Sequence, residues 1–190
     1  MKNYIKNLLI LIAVSLSFLA CSSDNGNDAE PTQLEEHSYE FYITEGVFAG
    51  KSFVGTLEND KLLPLYQKFT DQNKEKFSID FNGANNFNTY INVITENNQV
   101  LPLGVSQTNL ENSFVNISFL DNGTYPLFRS ESGTAEIDNV EVYTTALGNQ
   151  TASYTLIFEG FFRQINFLGN TEDAPIIKVN GKIIIKKSVI

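Results

Sequence analysis

From Tyr39 onward the chain alternates between large apolar and polar residues. Tyr39, Phe41 and Ile43 alternate with Glu40, Tyr42 and Thr44, and Phe77, Ile79 and Phe81 with Ser78, Asp80 and Asn82. Successive side chains of an extended strand point to opposite faces. A period-two pattern of aromatic and β-branched residues therefore specifies strands with one buried face. Residues 90–94, 114–119, 135–142, 153–158 and 176–185 read the same way. Turn chemistry separates the runs at Asn82-Gly83, Asn97-Asn98, Asp121-Asn122-Gly123, Gly148-Asn149 and Asn180-Gly181. Seven or more short strands without a long amphipathic helix predict an all-β domain, an antiparallel β-sandwich with a β-barrel as the alternative.

Three stretches interrupt this texture. In residues 58–76, Leu62, Leu63, Leu65, Tyr66 and Phe69 could form one helix face, but Pro64 breaks it, so a loop with one helical turn is expected. Asp138-Asn139 breaks the alternation between Ile137 and Val140, which predicts a bulge or turn. In Glu159-Gly160-Phe161-Phe162-Arg163, either Phe161 or Phe162 must leave the core face unless Gly160 forms a bulge.

The N-terminal residues obey a different logic. Residues 1–7 carry Lys2 and Lys6 and no acid, and residues 8–20 contain only Ser15 and Ser17 as polar residues. As a helix that run rises about 20 Å, short of the ~30 Å hydrocarbon core, so residues 1–20 read as a secretory signal peptide. Phe18-Leu19-Ala20-Cys21 resembles the lipobox of bacterial lipoproteins, with Phe18 where that motif usually has Leu. The resemblance implies that Cys21, the only cysteine, is acylated, becomes the mature N-terminus and anchors the chain in membrane lipid. Residues 22–38 hold five acids, no base and one large apolar side chain, Leu34, and are expected to form a flexible acidic tether. The β-rich domain then spans residues 39–190.

Loss of the signal, with its two lysines, takes the formal charge from −9 to −11. Phosphate backbones require a positive face, so nucleic acid is not an expected partner. The C-terminal Lys178, Lys182, Lys186 and Lys187 read as solvated lysines on edge strands. Abundant Asn, Ile and Lys, together with the Cys-Ser-Ser-Asp start, resemble lipoproteins of the Bacteroidetes. This resemblance implies an outer-membrane location, at the cell surface or facing the periplasm.

A search for chemistry excludes several classes. The one histidine, His37, falls at the end of the tether, which leaves no Ser-His-Asp or Cys-His arrangement in the domain and no histidine-based zinc site. No Gly-rich phosphate loop opens a helix. Carboxylate chemistry of the glycosidase kind remains, with Asp80, Glu136, Asp138, Glu141 and Glu159 as candidates. Each reads better as a solvent-facing strand or bulge residue. Loop carboxylates Asp121, Asp138 and Asp173 are the candidates for calcium, but no metal or other cofactor is expected. With 15 Phe, 8 Tyr and no Trp, the aromatic resource is tyrosine. Tyr90, Tyr125, Tyr143 and Tyr154, with Tyr66, are the candidates for a surface that stacks on a sugar or peptide.

Gly123-Thr124-Tyr125, Ser132-Gly133-Thr134, the strand ending in Glu159-Gly160-Phe161-Phe162, and Val179-Asn180-Gly181 follow in this order. The order resembles a family of small flavobacterial β-sandwich lipoproteins of uncharacterised function, over residues 122–190. It implies a Gly-Thr-Tyr strand end, a Ser-Gly-Thr strand start and a final Val-Asn-Gly hairpin, and offers no catalytic residue. The expected molecule is a lipid-anchored, non-enzymatic binding or structural module for a glycan or envelope protein. A carboxylate-dependent glycan hydrolase is the alternative.

Overall fold

The computed structural model describes residues 36–58, 62, 64–106, 110–165 and 173–187. The signal peptide, Cys21 and the tether up to residue 35 lie outside the described residues.

Among the described residues ten strands follow one another: β1 (His37–Glu45), β2 (Ser52–Leu57), β3 (Leu65–Phe69), β4 (Lys74–Asn82), β5 (Asn88–Glu96), β6 (Gln99–Val100), β7 (Phe114–Ser118), β8 (Leu127–Thr144), β9 (Gln150–Ile165) and β10 (Ile176–Ile185). They form one open antiparallel sheet in the order β2-β1-β10-β9-β8-β7-β5-β4-β3, with β6 paired to β5. The sheet doubles over on itself as a sandwich. Tyr39 of β1 meets Phe81 of β4 at 5.0 Å between ring centroids, and Phe77 of β4 meets Tyr154 of β9 at 5.4 Å, although neither pair of strands is adjacent in the sheet. The strand β8 joins the layers by pairing with β7 at Leu127, Phe128 and Arg129 and with β9 along its length. The end strands β2 and β3 do not pair, so the barrel alternative does not apply.

Each alternating segment forms a strand and all contribute apolar side chains to one core, but in 135–142 only Ala135 and Ile137 pack against it, partly buried, while Val140 and Val142 are exposed. Phenylalanines dominate it, with Phe41, Phe87, Phe119, Phe128 and Phe162 all fully buried. Turns at Asn97-Asn98 and Asn122-Gly123 place both residues at positive φ, the backbone that tight hairpins require. The break at Asp138-Asn139 is a bulge, with a register shift between Asp138 and Glu141 and Asn139 at φ 54°. Phe162 is 0 % exposed and Phe161 is 43 % exposed. No bulge at Gly160 reconciles them, because the register shift lies opposite, between Ser130 and Ser132 of β8. Phe161 instead emerges beside Lys178, whose Nζ stands 5.9 Å from its ring centroid.

Five expectations are corrected. Among the described residues of 58–76 the expected loop is instead strand β3 over Leu65–Phe69; the one helical turn is a 3₁₀ turn over Thr70–Gln72, and β4 starts at Lys74. Asn180-Gly181 is not a hairpin but the middle of β10, paired with Tyr42 and Phe41 on one side and Glu159 and Phe158 on the other. Ser132-Gly133-Thr134 lies inside β8 instead of starting a strand, and Thr124-Tyr125 lies in the connection before it. Lys178 and Lys182 are on no edge, because β10 runs between β1 and β9. His37 belongs to β1 instead of the tether. It is 1 % exposed, and its Nδ1 accepts the backbone N–H of Lys186 at 3.0 Å.

Candidate functional site

The four tyrosines expected to form a binding surface are scattered. Tyr154 is 2 % exposed within the core, between β3–β4 and β10, and burial holds its phenol well above the ordinary pKa. Tyr125 is 54 % exposed in the connection ahead of β8. Tyr143 lies near the far end of β8, with the Lys187 ammonium 5.2 Å from its ring. Only Tyr90 stands in a polar array. Tyr66 is buried and donates to Glu75 at 2.9 Å; burial, then that hydrogen bond and the carboxylate charge, push its pKa up to about 12.

The candidate carboxylates are dispersed as well. Asp80, Glu136, Asp138, Glu141 and Glu159 are all exposed. Glu159 pairs with Lys178 at 2.7 Å, and Glu141 bonds Lys187. A shallow depression of about 230 Å³ is lined by Glu40, Tyr42, Ile157, Glu159, Asn180 and Lys182 on the outer face of β1, β10 and β9. Of the calcium candidates, Asp121 is taken by Lys51 at 2.5 Å, and Asp138 and Asp173 lie apart on a bulge and in a turn. Among the described residues no three His, Cys, Asp or Glu side chains converge on a metal position.

Strand register assembles a different constellation. Asp80 of β4 pairs with Tyr90 of β5, Tyr90 with Asn116 of β7, Asn116 with Arg129 of β8, and Arg129 with Arg163 of β9. Their strand neighbours Ile79, Ile91, Val115, Phe128 and Phe162 are in the core. The side-chain period of two therefore places this row on the opposite, outer face. Five strands at about 4.8 Å give it a length of ~19 Å. Ser78 and Asn92 form the next row, joined by a hydrogen bond at 2.7 Å, and Asn92 Nδ2 donates to Tyr90 Oη at 2.9 Å.

The charges of the row are unequally served. Arg163 donates to Glu131 through Nε at 2.9 Å and through a terminal nitrogen at 3.1 Å, a bidentate pair. Arg129 has no ion pair or side-chain hydrogen bond among the described residues and rests 5.6 Å from the Phe114 ring centroid. Its Nε and the neighbouring Asn116 Oδ1 are both buried without a hydrogen-bond partner. Such groups cost about 1–3 kcal/mol each when left unmade. Arg129, Asn116 and Tyr90 thus stand side by side on a rigid sheet, the first two each with a buried polar atom that no described side chain serves. Alternation alone could not single out Arg129 or Asn116, because the row exists only in the pairing of five strands.

No protein-family model, no curated protein and no solved structure matches the chain.

Proposed function

We propose that this chain is an outer-membrane lipoprotein, anchored through Cys21, whose sandwich is a non-enzymatic binding module at the cell surface or on the periplasmic face. The observation that carries the reading is the outer-face row from Asp80 to Arg163, in which Arg129 and Asn116 keep polar atoms without partners. Ligand sites place a few polar groups on a preformed scaffold, and a sheet supplies that rigidity without a catalytic pair. An envelope or environmental glycan suits the mixture of amide, phenol, carboxylate and guanidinium. The test is retention of the detergent-purified protein on a glycan array. Retention of no glycan class defeats the binding reading.

A second reading, a carboxylate-dependent glycan hydrolase, rests on Glu40 and Glu159 lining one depression. Glu159 is held in an ion pair with Lys178 at 2.7 Å. Hydrolysis of a glycan panel that disappears in the Glu40→Gln, Glu159→Gln double variant would establish it. Absence of hydrolysis across the panel eliminates it.

A further inference from the structure

We infer that the outer-face row is a site for a saccharide carrying a carboxylate, with Arg129 as the residue that receives the charge. The inference deepens the binding reading above and rests on it.

The charge distribution is the first argument. The chain has 22 acids against 13 lysines and arginines, so an arginine without an acid is unusual in it. The nearby acid, Glu131, is committed to Arg163 through both carboxylate oxygens. Its engagement leaves Arg129, the partner of Arg163 in the strand register, without a counter-charge among the described residues. The Phe114 ring beneath the guanidinium holds it by a cation–π contact without using any N–H donor. The fork of N–H donors on an arginine matches a planar carboxylate, which it binds through two parallel hydrogen bonds.

The neighbours of Arg129 argue for a sugar. Tyr90, Asn116 and the exposed Asp80 follow it along the row. Amides, phenols and carboxylates exchange hydrogen bonds with hydroxyl groups, and a carboxylate can only accept. From Asp80 to Arg129 the row covers three strand spacings, ~14 Å, the reach of an oligosaccharide. The acid end of the ligand would lie over Arg129 and its hydroxyls over Asn116, Tyr90 and Asp80.

Trigalacturonic acid and its fully methyl-esterified form provide the probes, since they differ in charge and hardly in shape. The acid is expected to bind the detergent-purified protein at least tenfold more tightly than the ester, with the preference fading as salt is raised. Arg129→Gln is expected to erase the preference. Arg163→Gln is expected to weaken acid binding too, because it releases Glu131 to neutralise Arg129. Circular dichroism of each variant checks that the sheet is intact; should Arg129→Gln unfold, Arg129→Lys, which keeps charge and loses the fork, takes its place. Equal binding of acid and ester, or a preference unchanged by Arg129 substitution, overturns the carboxylate inference and leaves the binding module standing. Binding of carboxylate-terminated peptides in place of any saccharide overturns the sugar assignment. Retention of nothing, charged or neutral, defeats both.

Discussion

The ring of Phe158 fills the space that a Cβ at position 181 would occupy: its Cζ lies 2.2 Å and its Cε1 2.3 Å from that point. Phe158 and Gly181 are register partners across β9 and β10, and the tip of the ring lies over its neighbour's Cα. Gly181→Ala forces a fully packed aromatic to move. Overpacking of this kind costs about 1–3 kcal/mol. Urea unfolding is expected to show a lowered midpoint with unchanged slope, and a Gly181→Ala, Phe158→Leu double variant is expected to recover part of the loss.

Tyr39 ties the two layers together in the same manner. Its ring occupies the positions that Cβ atoms on Gly55 and Gly83 would take, with the hydroxyl 2.6 Å and 2.4 Å from those points. Its Oη accepts the N–H of Ala84 at 2.7 Å. Tyr39→Phe keeps the ring and strands that N–H, for an expected loss of about 1–3 kcal/mol in chemical denaturation.

Two adjacent phenylalanines offer an internal comparison. Phe162→Ala opens a cavity in the core and is expected to cost about 3–5 kcal/mol. Phe161→Ala removes a ring that is 43 % exposed and is expected to cost less than about 1.5 kcal/mol, mostly the contact with Lys178. Thermal unfolding of the two variants in parallel reads the difference; equal losses would mean that both rings are packed.

Alkaline pH should unfold the domain in a defined window. Burial raises the pKa of Tyr66 from 10.0 to about 12 and that of Tyr154 further in the same direction. Both phenols are therefore protonated in the folded chain at pH values where the unfolded chain has begun to lose its protons. Their contribution is complete below pH 10 and is lost as the pH rises from there, for Tyr66 until about 12. Tyr66→Phe should reduce the slope of stability against pH above 10. Tyr154→Phe should do so too, and at neutral pH it should leave the domain as stable or more stable, because it removes a buried hydroxyl without a partner.

Anchoring is checked by fractionation. Replacing Cys21 with Ala is expected to move the protein from the membrane fraction to the soluble one. A lipid anchor contributes about 0.8 kcal/mol for each buried CH₂, and no described helix is long and apolar enough to cross a bilayer. Unchanged membrane association of the variant would defeat the anchor.

The alternation over Phe77–Phe81 and Tyr39–Ile43 made strands and their inner faces legible, because side-chain burial with period two is a local property of an extended chain. The bulge at Asp138-Asn139 was legible for the same reason. Asn180-Gly181 misled. Asn-Gly favours a turn locally, yet Gly181 is there because Phe158 of another strand needs the room. Leu62 and Tyr66 resembled a helix face, but the free end of a sheet and the core beneath it drew Leu65–Phe69 into β3.

The candidate site divides along the same line. Residue types and spacing were enough to establish the all-β class and to place Asp80 and Glu159 on solvent faces. Only the tertiary structure decided that Tyr154 is core and that Glu131 serves Arg163. It also set Asp80, Tyr90, Asn116 and Arg129 in one row. Periodicity acts within a strand, whereas a row across five strands depends on their order and register, which turn lengths, bulges and core packing set together.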